Sequence, residues 1–265
     1  AQRGEVGAGD ADLLEAERGR GVAQVRLEVV EFGGRERAAH AAGAGGRTSI
    51  LAAMTTLPAA VHSAADVRAM DRHAIDAQGI PGYTLMQRAG EAAFDQLLGA
   101  WPAARRLLVA CGAGNNGGDG YVVARLAREA GLEVTVAALA DPARLRGDAA
   151  RAHADFVAAG GSTVAFDRAL VAAADVVVDA LFGTGLDRPV EGPLGAAIEA
   201  INASGRPVLA LDLPSGLHAD TGAVLGVAVR ARRTITFVGL KTGLYVGAAS
   251  VHVGQLAFAD LGVRA

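Results

Sequence analysis

Short apolar runs alternate with amphipathic stretches from about Ser63 to the end of the chain. RRLLVACG, EVTVAAL and DVVVDALFG predict buried strands, and each precedes a stretch whose apolar residues recur every three or four positions. STVAF, PVLALDLPSG, ARRTITFVG and QLAFADLG extend the series of strands. Strands that alternate with helices of this length form βαβ units. We therefore predict an α/β fold with a doubly wound, mostly parallel sheet flanked by helices.

Two helices are predicted before the first of these strands. The first begins after the capping residue Ser63 and stops near Gly79. Its apolar face consists of Val67, Met70, Ala74 and Ile75. The second helix, TLMQRAGEAAFDQLL, ends near Gly99. Later helices are predicted over GYVVARLAREAG, residues 143–160, Arg168–Ala173 and GPLGAAIEAINAS.

Residues 1–53 differ from the rest of the chain, because they are rich in Gly, Ala, Arg and Glu. Within them, VAQVRLEVVEF is compatible with a strand or a helix, and no apolar h-region of a secretory signal is present. The first methionine is Met54. We expect a poorly ordered extension over residues 1–53 and a single domain over residues 54–265.

Composition narrows the class of protein. The chain has 265 residues, 51% of them hydrophobic and 4% aromatic, which suits a buried parallel sheet covered by small-residue helices. A net charge of −3 gives no reason to expect nucleic-acid or membrane partners. Cys111 is the only cysteine, which excludes an intrachain disulfide and a cysteine-based zinc cluster. We expect a cytoplasmic protein.

The glycine-rich segment GAGNNGGDG follows the apolar run LLVAC. Gly112, Gly114 and Gly117 match G-x-G-x-x-G, the signature of dinucleotide-binding oxidoreductases. That function also needs an acid after the second strand, and Asp141 stands near this position. An NAD(P)-dependent oxidoreductase is therefore one candidate function.

Three polar side chains distinguish this segment from an ordinary dinucleotide turn: those of Asn115, Asn116 and Asp119. A carboxylate at Asp119 would repel a diphosphate unless it is protonated, binds a hydroxyl group or lies beside a cation. Turn formation explains a single asparagine, because Asn tolerates positive φ, but it explains the whole NNGGDG unit less well.

Two further polar segments follow strands. Asp179 ends an apolar strand, where a bound cation would satisfy its carboxylate, and the backbone amides of Gly183–Pro189 could cradle a phosphate. An ordinary β-to-α connection is the alternative for this loop. DLPSG places Asp212 and Ser215 after another strand, and no G-x-S-x-G elbow supports a nucleophilic serine. We expect the three segments to converge beyond the carboxyl ends of the strands.

Lys241 is the only lysine among 25 basic side chains. A GC-rich genome accounts for the many arginines. The single lysine is then either present by chance or retained for its compact ammonium group, whose pKa the protein can shift.

GNNGGDGYVVARLA, VDALFGTGL, DLPSGLHADTG and TITFVGLKTGL, in this order, closely resemble the YjeF N-terminal domain family of NAD(P)H-hydrate epimerases. The resemblance is strongest to bacterial forms fused to an ATP- or ADP-dependent dehydratase, and it runs from about Ser63 to the C-terminus. It implies a three-layer α/β/α, Rossmann-like fold. It also implies a homodimeric enzyme that interconverts the R and S forms of hydrated NADH and NADPH, with the dehydratase as its functional partner.

The resemblance also implies which residues form the site. A potassium ion would be bound by Asn116, Asp179 and Ser215. Residues around the damaged dinucleotide would be Asn115, Asn116, Gly117, Gly118, Asp119, Gly183, Thr184, Gly185, Leu186, Asp187, Arg188, Pro189 and Asp212.

For catalysis, we hypothesise that Asp212 moves a proton at the hydroxyl group of the substrate's hemiaminal carbon. Lys241 would assist by anchoring phosphate or by tuning Asp212. Two alternatives stay open: the oxidoreductase named above and a non-catalytic scaffold with the same fold.

Overall fold

The computed structural model describes residues 60–264 and the short strand Leu27–Val30. Within these residues the helices are α1 (Ala64–Asp76), α2 (Gly82–Ala100), α3 (Asn115–Glu129), α4 (Gly147–Ala158), α5 (Arg168–Ala173), α6 (Gly192–Ala203) and α7 (Ala249–His252). The strands are β1 (Leu27–Val30), β2 (Val61–His62), β3 (Arg106–Cys111), β4 (Glu133–Ala138), β5 (Thr163–Val164), β6 (Val176–Ala180), β7 (Val208–Leu211), β8 (Arg233–Phe237), β9 (Leu240–Lys241) and β10 (Gln255–Ala259).

The main sheet of the described residues is parallel throughout, with the strand order β1-β10-β8-β7-β6-β3-β4-β5. The chain runs outward from β3 through β4 to β5 and then returns to the other side of β3 at β6. This reversal makes the gap between β3 and β6 the topological switch point, where doubly wound sheets bind their ligands.

Alternate residues of β3 belong to two different hydrophobic cores. Leu107, Val109 and Cys111 pack with residues of α2, α3 and α4, whereas Leu108 and Ala110 pack with residues of α5 and α6. A strand that is buried on both faces reads as a continuous apolar run rather than as an alternating one. The predicted three-layer, doubly wound fold is therefore confirmed.

The helix α3 begins earlier than the sequence predicts. We expected NNGGDG to be a turn and the helix to start at GYVV, but Asn115 is already the first helical residue. The glycines permit close packing instead of positive φ: a Cβ on Gly117 would lie 2.2 Å from the carbonyl oxygen of Gly112, and one on Gly120 would lie 2.6 Å from the Cβ of Ala180. The two asparagines thus occupy the first turn of a helix.

Other elements follow the sequence closely. Ser63 caps α1 with a reciprocal capping box, and Gly79 has φ = +67° beyond its end. Ile75, however, is 42% exposed, so it does not join the buried face that we predicted. The helix expected over residues 143–160 is divided into a 3₁₀ turn, Pro142–Arg144, and α4.

The strand β1 lies within VAQVRLEVVEF, for which the sequence left strand and helix open, and it pairs with β10. The other residues of the expected 1–53 extension lie outside the described part of the chain, so the boundary at residue 53 stays a prediction. Across residues 60–264, no helix combines the length and the apolar character needed to cross a bilayer.

Gly112→Ala is expected to destabilise the fold by about 1–3 kcal/mol, as for other overpacked positions. A Cβ at this position would lie 2.0 Å from the carbonyl oxygen of Leu181, so β3 and β6 would have to separate. Urea unfolding measures the loss. Gly114→Ala, two residues away, is the matched control, because its Cβ would meet no atom within 4 Å. Equal stability of the two variants would contradict this account of the strand ends.

Candidate active site

A cavity of about 450 Å³ lies beyond the carboxyl ends of the strands, at the switch point. Its walls come from α1, α2, the start of α3 and the segments that follow β6, β7 and β8. The polar and glycine residues that line it are Asp71, Gly82, Gly114, Asn115, Asn116, Asp119, Asp148, Gly183, Thr184, Gly185, Asp212 and Lys241. The three polar segments that the sequence singled out therefore meet, as expected, at one site.

Asp212 is held in an unusual backbone conformation at the end of β7. Its φ is +65°, in the left-handed region, which Asp adopts more readily than most residues. One carboxylate oxygen accepts a hydrogen bond from the backbone N–H of Thr184 (3.1 Å), and the other accepts one from Lys241 Nζ (2.5 Å). A Cβ on Gly183 would lie 2.7 Å from this carboxylate, so the loop can approach only because position 183 is glycine. These contacts fix the carboxylate at the edge of the cavity.

The ammonium group of Lys241 is almost wholly buried, with the residue 1% exposed. In addition to Asp212, Nζ donates to Thr236 Oγ1 (2.9 Å) and to the carbonyl oxygen of Phe237 (2.7 Å). All three of its protons are thus used within the protein. Of the two roles considered for Lys241, this geometry favours tuning Asp212 over anchoring a phosphate.

Asp179 lies behind the cavity wall and is fully buried. Ser215 donates to it twice, from Oγ (2.6 Å) and from the backbone N–H (2.8 Å), and the backbone N–H of Leu181 lies 3.3 Å away. Burial raises the pKa of Asp179 to about 6, although these hydrogen bonds oppose the shift. All the hydrogen bonds to Asp179 described here come from neutral groups. A negative charge on its carboxylate is therefore not compensated by them, and a cation could bind beside it.

Asn116 supplies a second oxygen in this region. Its Nδ2 donates to the carbonyl oxygen of Phe182 (3.0 Å), to which Ser215 Oγ also lies within 3.3 Å. Asn116 Oδ1 is buried and has no hydrogen-bond partner among the described residues. An orphaned amide oxygen, a buried carboxylate and a hydroxyl group are hard donors, and this set fits a monovalent cation.

Two further acidic residues, Asp71 and Asp119, line the cavity, and the charges of Asp212 and Lys241 affect their pKa values. Burial raises the pKa of Asp119 well above its usual value, and the negative charges of Asp212 and Asp71 add to the shift. Burial also raises the pKa of Asp71, whereas Lys241 lowers it. Asp71 is not among the site residues predicted from the sequence. The available signal was its position four residues after Val67 and four before Ile75, on a face that is otherwise apolar.

Some residues implied by the resemblance do not line the cavity. Gly117 and Gly118 are buried within the first turn of α3, and Leu186 packs with the second core. Asp187, Arg188 and Pro189 are exposed at the end of the loop Gly183–Pro189. Their contact with a ligand stays a prediction.

Asp141, the acid that an oxidoreductase would need, serves another purpose. It caps the 3₁₀ turn by accepting a hydrogen bond from the backbone N–H of Ala143 (3.0 Å), and it does not line the cavity.

Residues 82–243 match the family model described as YjeF-related protein N-terminus. The chain is 46% identical over 197 residues to the bifunctional NAD(P)H-hydrate repair enzyme Nnr of Coxiella burnetii, covering 74% of this chain and 40% of that protein. It is 45% identical to the enzyme of the same name from Escherichia coli, covering 78% and 40%. The chain thus spans about two fifths of the length of these two relatives.

A shorter relative matches almost end to end. The chain is 43% identical to the NAD(P)H-hydrate epimerase of Limosilactobacillus fermentum, covering 75% of this chain and 95% of that protein. Its fold is similar to the crystal structure of a yeast protein, with a TM-score of 0.65, 20% identity, and coverage of 75% of this chain and 87% of the other.

Lys241→Met and Asp212→Asn are each expected to destabilise the protein by about 3–5 kcal/mol, because each leaves one partner of a largely buried ion pair alone. The double variant should lose less than the sum of the two single losses, since it removes both charges. Urea unfolding of the four proteins measures this coupling. Additive losses would mean that the interaction between the two side chains does not contribute to the free energy of unfolding.

Proposed function

We propose that this chain, which belongs to the YjeF-related protein N-terminus family, interconverts the R and S epimers of hydrated NADH and NADPH. The observation that carries the proposal is the Asp212–Lys241 pair, fixed at the edge of a cavity at the switch point. The relative named NAD(P)H-hydrate epimerase, of which the chain covers 95%, supports the same activity.

The substrate carbon that inverts carries a hydroxyl group beside the ring nitrogen, so it is a hemiaminal. Inversion at such a carbon needs proton transfer to or from that hydroxyl group, followed by C–O cleavage or ring opening and closure on the other face. The Asp212 carboxylate moves this proton, and its contacts with Thr184 N–H and Lys241 Nζ keep it oriented.

The charges of the cavity determine which end of the substrate enters. Lys241 is the only basic side chain among the described residues that line the cavity, and its three protons are already engaged, so the interior offers a diphosphate no free cation. The nicotinamide ring therefore enters, and the diphosphate stays near the N-terminus of α3 and the loop Gly183–Pro189. Backbone amides at a helix N-terminus are a favourable site for such an anion.

A potassium ion is part of the proposal. Asn116, Asp179 and Ser215 would hold it, as the orphaned amide oxygen and the buried carboxylate suggest. The ion would supply positive charge beside Asp179 and hold the backbone at Phe182, next to the loop that contacts Asp212.

Three further features belong to the proposal alone: a homodimeric state, a cytoplasmic location and cooperation with an ATP- or ADP-dependent NAD(P)H-hydrate dehydratase. Two relatives with bifunctional names support the last of these, because this chain matches only 40% of their length.

The oxidoreductase alternative is weakened because Asp141 acts as a cap and lies away from the cavity. A non-catalytic scaffold would not need acidic and amide groups assembled around a buried lysine. Absorbance at 340 nm, measured with NAD and candidate alcohols, would reveal any hydride transfer.

Asp212→Asn is expected to lower the rate of epimer interconversion by about 10²–10⁴-fold, the usual contribution of general acid–base catalysis. Asn also tolerates positive φ, so the backbone at this position should be retained. HPLC of purified R-NADHX, incubated with and without protein, measures the rate. Glu199→Gln, at an exposed position on α6, is the matched control. A wild-type rate in Asp212→Asn would reject the assignment.

Potassium chloride is expected to raise the unfolding temperature more than tetramethylammonium chloride does at the same ionic strength. Binding to the native state alone adds about 2.7 kcal/mol at a concentration 100 times Kd. The difference between the salts should disappear in Asp179→Asn and Ser215→Ala and persist in Glu199→Gln. Equal effects of the two salts on the wild type would remove potassium from the proposal.

A further inference from the structure

The helix α1 brings one acidic side chain to the cavity, and the proposed reaction so far gives it no role. Val67, Asp71 and Ile75 all line the cavity, spaced four residues apart on one face of α1. Asp71 is half-buried, and within residues 60–264 no hydrogen bond or ion pair engages its carboxyl group. An unpaired acid on an otherwise apolar stripe is directed at whatever occupies the cavity.

The position of α1 is fixed relative to Asp212. Arg68, on the same helix, donates a hydrogen bond to the carbonyl oxygen of Thr184 (3.2 Å), and the backbone N–H of Thr184 donates to Asp212 (3.1 Å). The start of α1 is also anchored, because the backbone N–H of Ala64 donates to Asp220 (2.6 Å). Asp71 and Asp212 are thus held on two walls of one cavity through a shared residue, Thr184.

The charges around Asp71 make it a suitable proton donor. Burial raises its pKa and the field of Asp212 adds to this shift, whereas the positive charges of Lys241 and Arg72 oppose it. Asp119 and Asp148 also face the cavity. Asp71 therefore holds a proton more readily than an exposed aspartate does, while Asp212 is paired with Lys241.

Inversion at a hemiaminal carbon needs two proton transfers, one on each face of the ring. The hydroxyl group leaves from one face as water, after receiving a proton, and the nitrogen lone pair forms a C=N bond. Water then adds to the other face, the C=N electron pair returns to nitrogen, and the added water gives up a proton. A single carboxylate on one wall reaches one face only, so a second proton-transfer group is needed opposite it.

We propose that Asp71 is this second group: it acts on the hydroxyl group from the α1 wall, while Asp212 acts from the wall formed by the strand ends. The inference rests on the proposed epimerase activity. In one direction Asp71 gives a proton to the departing hydroxyl group and Asp212 accepts one from the entering water. One inversion therefore moves a proton from Asp71 to Asp212, and exchange with solvent returns it before the next inversion in the same direction. In the reverse direction the two residues exchange roles.

The test compares the wild type with Asp71→Asn, Asp71→Glu and Asp76→Asn, a matched control at an exposed position on the same helix. Initial rates from R-NADHX are measured by HPLC against a blank without protein, to give kcat and KM. Asp71→Asn should lower kcat by about 10²–10⁴-fold while KM changes little, because the lost group acts in proton transfer. Asp71→Glu should recover part of kcat, and Asp76→Asn should match the wild type.

We do not expect the loss of activity in Asp71→Asn to come from a loss of stability. A raised pKa means that the ionised Asp71 is disfavoured in the folded protein, so a neutral amide should fold at least as well. A melting curve checks this, and Asp71→Glu keeps the test valid if the amide variant fails to fold.

Labelled water provides a second readout. In H₂¹⁸O, mass spectrometry should find one labelled oxygen taken up with each inversion, and Asp71→Asn should slow both events together. Wild-type kcat in Asp71→Asn, a loss confined to KM, or inversion without labelling would each overturn the role of Asp71. An inactive wild type would instead reject the epimerase function, and the role of Asp71 with it.

Discussion

The buried ammonium group of Lys241 is the interaction on which the site depends. A charge that is 1% exposed is tolerable only when every proton has an acceptor, and here the acceptors come from β8, from the residue at the end of β7 and from a backbone carbonyl group. Asp212 itself has positive φ, and its carboxylate also accepts a hydrogen bond from the backbone N–H of Thr184. The Lys241 ammonium group thus links β8 to the end of β7 and, through Asp212, to the loop after β6.

Close backbone packing supplies the second constraint. Gly112 lies against the carbonyl oxygen of Leu181, and Gly117 lies against Gly112, so the ends of β3 and β6 and the start of α3 form one rigid unit. This packing brings Asn116 near Phe182 and Ser215. Glycine is needed here for space, which is why a run of residues with poor helix propensity forms the first turn of a helix.

The sequence predicts what long apolar runs and parallel topology determine: the strands, the three layers and the convergence of three polar segments. It does not predict the start of α3, because packing against β3 and β6 overrides the low helix propensity of three glycines. It also fails to single out Asp71, because an acid within an amphipathic helix resembles a solvent-exposed residue until the cavity beside it is known. The strands β2 and β9 have only two residues each, which is too short for a hydrophobic pattern to predict them.

The two strand-end aspartates show why a motif alone does not define a site. Asp179 and Asp212 each follow an apolar strand, but their surroundings differ. Asp212 meets an ammonium group built into the chain, whereas Asp179 meets the hydroxyl and backbone groups of Ser215 and lies in the region of an orphaned amide oxygen. The first arrangement pairs the carboxylate with a positive charge built into the chain and leaves it at the edge of the cavity. The second keeps a negative charge uncompensated, which a carboxylate tolerates only by holding a proton or by binding a cation from solution. One pattern therefore yields an ion-paired carboxylate after one strand and a carboxylate suited to binding a cation after its neighbour, and the groups that other segments bring to each carboxylate decide which.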